Sequence, residues 1–263
     1  MISRIKKILA KPHVIFMTYF FDPWDMIKRW RGIYYFCKNA STYMKQNKLP
    51  NFTIKYKDLY YKSFDRFSPA GSVPVHYFLQ DIWVAKYIYE KKIHHIIDVG
   101  SRLDGYISHL LSYCKVEFID IRPMEMNVEN LLFINGNITS LPYADGSIQC
   151  LSSLHVIEHI GLGRYGDPVD PEGHIKAALE LNRVIAPGGT LILSTVVGRE
   201  RLCFDGHRIF DPETIRNVFY GINLVKFCLI DDRGLSVIEN ATFDDARKCD
   251  YGCGIFIFYK PKD

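Results

Sequence analysis

The sequence lacks an apolar run long enough to cross a lipid bilayer. The longest purely apolar stretch near its start, residues 14–17, continues through Thr18 to Phe21, where Asp22 and then Asp25 end it. A membrane-spanning helix needs about 20 consecutive, mainly apolar residues. The start also lacks the small-residue cleavage pattern of a secretory signal peptide. We therefore expect a cytoplasmic protein.

The sequence also lacks cysteine pairs at the spacings of a zinc knuckle. Its seven cysteines are scattered, and the two that lie nearest each other, Cys249 and Cys253, have no histidine or second pair close by. Structural zinc sites of that type need four closely spaced ligands. We predict reduced thiols and no bound metal, although a divalent cation that bridges the substrate through His159, Asp170 or His174 stays open.

Charge is distributed unevenly along the 263 residues. The first 75 contain 14 Lys and Arg against 4 Asp and Glu, together with many aromatic residues, whereas the remainder is acidic. Such a segment suits an anionic membrane surface, a nucleic acid or an anionic sugar-lipid. It also suits a cap whose aromatic side chains pack on the main domain. We predict a basic, aromatic-rich, partly helical extension over residues 1–75, with helix breaks at Pro12 and Pro23, and one domain over residues 76–263.

Apolar strand-like runs alternate with helix-like stretches in the second of these segments, which is typical of a mostly parallel α/β sheet. Two later runs, 225–230 and 254–259, have no clear helix between them and predict an antiparallel pair that closes a seven-stranded sheet. The earlier strands, with helices between them, are predicted near residues 95–99, 116–120, 131–135, 149–154 and 190–196.

The first two predicted strands form a nucleotide-type cofactor unit. The first ends at Asp98 and is followed by Gly100 and Gly105, and the second ends at Asp120, 22 residues after Asp98. In such a unit the glycines let the backbone approach a ligand and the second acid binds ribose hydroxyls. The chain lacks the third glycine of a dinucleotide fingerprint, and Asp104 near the helix entry repels a pyrophosphate. A cationic sulfonium cofactor tolerates these acids better.

Three later segments, residues 137–142, 144–148 and 181–189, resemble the third-strand loop, the fourth-strand approach and the Pro-Gly-Gly turn of class I methyltransferases. The resemblance implies a Rossmann-like fold and S-adenosylmethionine as the cofactor. It places the glycine turn at the methionine end, the acid of the second strand on the ribose and the third-strand loop at the adenine. The cofactor residues that we predict are Asp98, Gly100, Ser101, Gly105, Asp120, Ile121, Asn137, Ile138 and His155.

Residues 154–174 form the densest polar cluster, and they start where the fourth strand should end. Ligands of open α/β sheets bind at that edge, so His155 is expected to face the transferred methyl group and to act as general base. His155 and His159 share a face if a helix follows, and Asp167 or Asp170 could orient a histidine. The open alternative is that His155 packs on the cofactor. The predicted catalytic residues are His155, Glu158, His159, Asp170 and His174.

The substrate is expected to bind beside this cluster. Arg208 suits an acidic or phosphorylated sugar through paired hydrogen bonds, with a salt bridge to Asp205 or Asp211 as the alternative. The string His155–His159 also matches an inverted zinc-protease motif, but that motif requires a long helix. The predicted substrate-binding residues are Arg164, Tyr165, Asp167, His207 and Arg208.

Four segments, residues 76–83, 98–105, 119–123 and 154–174, together resemble one uncharacterised methyltransferase-like family, whose bacterial members accompany surface-polysaccharide and glycosyltransferase genes. This resemblance implies O-methylation of a sugar hydroxyl in a surface glycan or its lipid-linked precursor, at the inner face of the membrane. The alternative is a non-catalytic partner of a glycosyltransferase, which the incomplete glycine loop suggests. No nucleic-acid partner is expected, because the chain lacks the Asn/Asp-Pro-Pro-aromatic tetrapeptide of amino-group base methylation.

Overall fold

The computed structural model describes residues 23–55, 57, 59, 73–204 and 206–262. The chain divides into two compact units between Ser72 and Val73. The predicted extension over residues 1–75 falls almost wholly in the first unit, and its residues 1–22 and 60–72 lie outside the described residues. The predicted helix break at Pro12 therefore lies outside them too, as does Asp205.

The described part of the first unit is mainly one helix, α1 (Pro23–Gln46), followed by a short 3-10 turn (Pro50–Phe52). The helix begins at Pro23, in agreement with the break predicted there. Proline is favoured at a first helical position because its missing N–H has no partner there in any case. Within the described residues, no helix is both long enough and apolar enough to cross a membrane.

The second unit is built on a seven-stranded sheet with the order β3-β2-β1-β4-β5-β9-β8. The first five of these strands are parallel, and β9 runs antiparallel to both β5 and β8. The predicted mostly parallel, seven-stranded sheet with a terminal antiparallel pair is therefore confirmed. Its strands are β1 (His95–Val99), β2 (Lys115–Asp120), β3 (Leu131–Asn135), β4 (Ile148–Leu154), β5 (Ile185–Val197), β8 (Asn223–Ile230) and β9 (Gly252–Tyr259).

The helices are fewer than the alternation predicts. No helix lies between β2 and β3 or between β3 and β4, although the structure describes both connections in full. Side chains hold these connections in turns instead: Asp120 accepts the backbone N–H of Arg122, and Asn137 accepts that of Thr139. Such local bonds compete with helix formation. The remaining helices are α2 (Val75–Glu90), a π-helical turn (Leu103–Ile107) that runs into α3 (Ser108–Leu110), α4 (Gly173–Val184), α5 (Pro212–Val218) and α6 (Phe243–Arg247).

Strand β5 begins at Ile185, five residues before the predicted start at residue 190. The Pro-Gly-Gly sequence therefore lies inside the strand rather than in a turn before it. The pairing of β4 with β5 shifts register between Ile148 and Cys150, and Gly188 has a φ of +80° there. This irregular stretch explains why a turn sequence is compatible with a continuous strand.

Apolar side chains cover both faces of the sheet. One core cluster includes Val84 and Ile88 of α2, and the other includes Ala177 and Leu181 of α4. A small hairpin, β6 (Arg201–Cys203) with β7 (His207–Ile209), follows β5 above the carboxyl edge of the parallel strands. That edge is where ligands bind in open α/β sheets.

Candidate functional site

A first cavity lies at the carboxyl ends of β1 to β4. It is lined by seven of the nine predicted cofactor residues, namely Gly100, Ser101, Asp120, Ile121, Asn137, Ile138 and His155. Asp98 and Gly105 are not among the described residues that line it. Most of these residues lie at or directly after the carboxyl ends of β1 to β4, so the predicted strand ends were enough to locate the cavity.

Asp98 shapes the glycine turn from beneath. Its carboxylate is fully buried and accepts hydrogen bonds from the backbone N–H of Ser101 at 3.1 Å, the Ser101 hydroxyl at 2.7 Å and the Ser152 hydroxyl at 2.6 Å. Burial raises the pKa of Asp98 to about 7, although these hydrogen bonds act in the opposite direction. Above it Gly100 has a φ of +75°, which an L side chain rarely adopts. Asp98 therefore supports the cavity without facing it.

Gly105 has a packing role in the π-helical turn. A Cβ atom at this position would collide with the carboxylate of Asp81, a buried residue of α2 that sequence reasoning did not single out. Burial raises the pKa of Asp81 to about 6. The glycine thus lets the turn pass close over a buried acid instead of contacting a ligand.

Asp120 ends β2 at the rim of the first cavity, as predicted for a ribose ligand. Its carboxylate accepts three hydrogen bonds from Arg122: from the backbone N–H at 2.8 Å, from Nε at 2.9 Å and from Nη2 at 2.6 Å. The Arg122 guanidinium lies over the ring of Tyr165, 5.1 Å from its centre. Arg122 is therefore an additional functional candidate, and it competes with any hydroxyl donor for this acid.

The third-strand loop is fixed by residues of α4. The Asn137 side-chain oxygen accepts from the Thr139 hydroxyl at 2.9 Å, which leaves the amide N–H groups of Asn137 for a ligand. Glu180 accepts the backbone N–H of Leu141 at 2.6 Å, and Arg183 binds both Glu180 and the Tyr143 carbonyl. This network holds the loop beside the cavity, and nothing in the local sequence of the loop indicates it.

A second cavity adjoins the first. Four side chains line both cavities: Tyr77, His155, His159 and Tyr165. The second is completed by residues from separate parts of the chain, which are Glu158, Arg164, Gly206, His207 and Tyr251. The two cavities therefore share a wall of two histidines and two tyrosines. The signal for Tyr77 lay in the segment 76–83, whereas no local pattern marked Tyr251.

His155 follows β4 with a φ of +54°, a backbone conformation that is strained for a non-glycine residue. Its Nδ1 lies 2.6 Å from Glu158, whose second oxygen accepts from the Thr195 hydroxyl at 3.0 Å. Neither Asp167 nor Asp170 orients this ring; Glu158 does. Burial lowers the pKa of His155, but the neighbouring Cys253 and Glu158, the latter through its hydrogen bond with Nδ1, raise it above its usual value.

His159 also reaches the shared wall, although the helix expected after β4 is replaced by turns. The backbone N–H of His159 bonds to the carbonyl of Val156 at 2.9 Å. The ring Nδ1 lies 2.7 Å from the carbonyl oxygen of Gly206. A carbonyl only accepts, so Nδ1 carries a proton, and in the neutral ring the lone pair is on Nε2.

Asp170 and His174 are not among the described residues that line either cavity. Asp170 pairs with Lys176 at 2.6 Å and accepts the backbone N–H of Glu172, so it stabilises the turn before α4. His174 lies against the ring of Phe210, with 5.6 Å between the ring centres. The structure thus does not bring these two predicted residues to either cavity, because the turns after β4 carry them past the cavity edges.

The predicted substrate residues divide similarly. Arg164 donates to the carbonyl of Gly206 at 2.8 Å and lies over Tyr165, and Asp167 accepts the backbone N–H of Gly161 at 2.7 Å at the rim of the first cavity. Arg208 donates instead to the carbonyls of Ile160 and Pro171. It therefore holds the turns around the site. Of the two alternative salt-bridge partners, Asp211 pairs with Arg247 instead, and Asp205 lies outside the described residues.

Comparisons with known proteins identify related sequences and folds. The family model described as "Caenorhabditis protein of unknown function, DUF268" matches residues 137–248. Ajmaline N-methyltransferase from Rauvolfia serpentina is 28% identical over 124 residues, which are 42% of this chain and 39% of that relative's length. The solved structure of a candidate sarcosine dimethylglycine methyltransferase from Galdieria sulphuraria is 14% identical with a TM-score of 0.50, over 70% of this chain and 85% of that one.

The N-methyltransferase NodS from Bradyrhizobium japonicum, solved with S-adenosylhomocysteine, is 13% identical with a TM-score of 0.49, over 73% of this chain and 90% of that one. The match to the curated relative spans only about two-fifths of that relative's length. The first cavity offers an acid for ribose, an apolar side chain at Ile138 and a close-approach turn at Gly100, which fit S-adenosylmethionine. The chain therefore has the fold of class I S-adenosylmethionine-dependent methyltransferases, with a cavity that fits this cofactor.

Proposed function

We propose that the chain is a methyltransferase that binds S-adenosylmethionine in the first cavity and methylates a sugar hydroxyl held in the second. The observation that carries this proposal is the shared wall of Tyr77, His155, His159 and Tyr165. Methyl transfer requires donor and acceptor to meet in one geometry, and two adjoining cavities provide that meeting point. The resemblance to a family that accompanies surface-polysaccharide genes supports a surface glycan, or its lipid-linked precursor, as the acceptor.

The chain's own residues would hold the cofactor by its separate parts. Asp120 would accept the ribose hydroxyls once Arg122 turns away, and the Asn137 amide would donate to the adenine edge beside Ile138. The turn at Gly100 and Ser101 would contact the methionine end, where Arg102 also lines the cavity. Bound S-adenosylmethionine would supply a methyl group activated by its sulfonium charge.

The side chains of the second cavity favour a neutral polar acceptor over an ammonium group. Among the described lining residues, Glu158 alone is acidic, and its oxygens already bind His155 and Thr195. Arg164 adds positive charge. Tyrosine rings can pack on the apolar face of a sugar while His207 and Arg164 bond to its hydroxyls. The relative from Rauvolfia serpentina is named as an N-methyltransferase, but this arrangement of charges supports O-methylation here.

His159 is the residue to which we assign the acceptor's proton. His159 is part of the shared wall. The hydrogen bond from its Nδ1 to the Gly206 carbonyl leaves Nε2 as the nitrogen that can accept a proton. Methyl transfer to the acceptor oxygen would leave the electron pair of the donor's carbon–sulfur bond on sulfur. The hydroxyl proton passes to His159 Nε2. His155, held by Glu158, positions the wall between the two ligands.

The test is transfer of labelled methyl groups from S-adenosylmethionine to purified surface glycans and sugar-lipids, with simple amines as competing acceptors. Label on a sugar oxygen, located by mass spectrometry of the product, supports the proposal. Label on amine nitrogen contradicts the hydroxyl assignment. Calorimetry shows whether S-adenosylhomocysteine binds, and binding without transfer to any of these acceptors would favour a non-catalytic partner of a glycosyltransferase.

A further inference from the structure

We propose that His76, His155 and Cys253 form a binding site for a zinc-type divalent cation behind the shared wall. The potential ligand atoms of these three side chains all lie within 4.8 Å of one another. His76 is the second residue of α2, His155 follows β4, and Cys253 is on β9. The fold thus brings together three metal-binding side chains that are widely separated in the sequence.

His155 supplies an independent observation in favour of a ligand. Its Nε2 is buried and has no hydrogen-bond partner among the described residues. Buried polar side-chain atoms are usually paired, so an unpaired one calls for an explanation. Since Nδ1 is bound to Glu158, Nε2 is the nitrogen that remains for a cation.

The surroundings of His155 also have the form of a metal ligand's support. Histidines that bind metals usually donate the N–H of their second ring nitrogen to a carboxylate, a backbone carbonyl or water, which fixes the ring. Glu158 is that carboxylate here, and Thr195 in turn donates to it at 3.0 Å. The backbone of His155 is strained, with a φ of +54°. Strain of this kind is common at functional sites, and here it sets the orientation of the ring that would bind the cation.

The chemistry of the three side chains selects the cation. Two imidazoles and one thiolate suit zinc, whereas magnesium and calcium prefer oxygen ligands. Cys253 is fully buried and donates its thiol proton weakly to Gln80 Oε1, with 3.5 Å between sulfur and oxygen. Binding would release this proton to solvent, leaving a thiolate on the cation.

The number of ligands suggests what the cation does. Three protein ligands plus one open position is the arrangement of catalytic zinc sites, whereas structural sites have four protein ligands. His155 lines the second cavity, and Tyr251, which stacks on His76 at 5.2 Å between ring centres, lines it too. We infer that the fourth position accepts a hydroxyl oxygen of the acceptor and makes it more acidic; this part rests on the proposed function.

Cobalt titration tests the site without relying on activity. The full chain is stripped with a chelator and titrated with Co²⁺ alone, because a cobalt–thiolate bond gives an intense near-ultraviolet band. We expect one Co²⁺ per chain, displaced by one Zn²⁺. Cys253→Ser should lose the band, His76→Gln should weaken binding by more than about 100-fold, and Glu158→Gln should weaken it by roughly 10–100-fold.

Cys228→Ser is the matched control, because Cys228 is a fully buried thiol of neighbouring β8 that donates to the backbone carbonyl of Glu239. It should keep the cobalt band. Absence of the band in the wild-type protein, or an equal affinity in His76→Gln, would overturn the site, and His76→Gln keeps the test decisive if Cys253→Ser fails to fold. Calorimetry with S-adenosylhomocysteine is run separately, so that loss of the cofactor site and loss of the metal site are distinguishable.

Discussion

The two cavities of the second unit are built in opposite ways. The first comes from the ends of neighbouring parallel strands, and much of its surface is backbone turns and residues next to them, such as Gly100, Asp120 and Asn137. The second is lined mainly by aromatic and histidine side chains from α2, the turns after β4, the β6–β7 hairpin and Tyr251, which immediately precedes β9. The first cavity therefore follows from the topology of the sheet, whereas the second depends on packing between residues that are far apart in the sequence.

The largest expected effect separates the roles of the two cavities. His159→Gln removes the proton acceptor, so the rate of methyl transfer should fall by roughly 10²–10⁴-fold. The affinity for S-adenosylhomocysteine should stay within a few-fold, because Asp120 and the glycine turn are unchanged. Steady-state rates and calorimetry measure the two quantities. His174→Gln is the control, and equal losses in both variants would contradict the assignment.

The next effect concerns the first cavity alone. Asp120→Ala should weaken S-adenosylhomocysteine binding by about 10–100-fold, because hydrogen bonds to a charged group contribute roughly 1.5–3 kcal/mol. Asp104 forms a similar pair with Arg102 but is exposed, so Asp104→Ala provides a matched control with little expected change. An Asp120→Ala variant that binds like the wild type would remove the ribose from this acid.

A smaller effect should appear only in the second cavity. Tyr251→Ala removes one aromatic face, and we expect the KM for the acceptor to rise about 2–10-fold, as for a contact of roughly 0.5–1.5 kcal/mol. The affinity for the cofactor product should not change. Tyr220 is exposed and is not among the described residues of either cavity, so Tyr220→Ala should leave both quantities as they are. A higher dissociation constant for S-adenosylhomocysteine in Tyr251→Ala, with no change in the KM for the acceptor, would contradict the assignment of Tyr251 to the second cavity.

The last prediction concerns the stability of the fold and tests the support beneath the first cavity. Because burial raises the pKa of Asp98 from its ordinary 3.8 to about 7, folding favours its protonated form. Its contribution to the free energy of unfolding should therefore fall as pH rises from about 4 to about 7, and then level off. Asp98→Asn, which does not titrate, should show a smaller fall between pH 5 and pH 8 in urea unfolding. As the control, Asp104→Asn should show the same pH dependence as the wild type. An unchanged slope in Asp98→Asn would contradict the raised pKa of Asp98.

The sequence predicted the strands and the cofactor edge because both depend on local patterns. Runs of apolar residues located β1 and β2 within a residue, and the end of the second run placed Asp120 at a cavity rim. The predicted helices around β3 were wrong, because side chains such as Asn137 hold those connections in turns. Asp170 pairs with Lys176 and is not among the described residues that line either cavity, because it lies in the turns after β4, whose geometry has no periodic signature in the sequence.

The second cavity shows the other limit of sequence reasoning. Cys253 comes close to His155 through the pairing of β9 with β5, and Tyr251 immediately precedes β9. No spacing along the chain reveals this pairing. Glu158 was predicted as a catalytic residue, but its contact with His155 became evident only from the turn that brings the two side chains together. Residues that act across long sequence separations require the folded sheet before their roles can be assigned.

The most direct test of the account is a calorimetric titration of S-adenosylhomocysteine into the wild type, Asp120→Ala and Tyr251→Ala under one set of conditions. The account predicts one binding site in the wild type, roughly 10–100-fold weaker binding in Asp120→Ala and unchanged binding in Tyr251→Ala. Absence of binding to the wild type, or equal affinity in all three proteins, would contradict the claim that the first cavity holds the methyl donor.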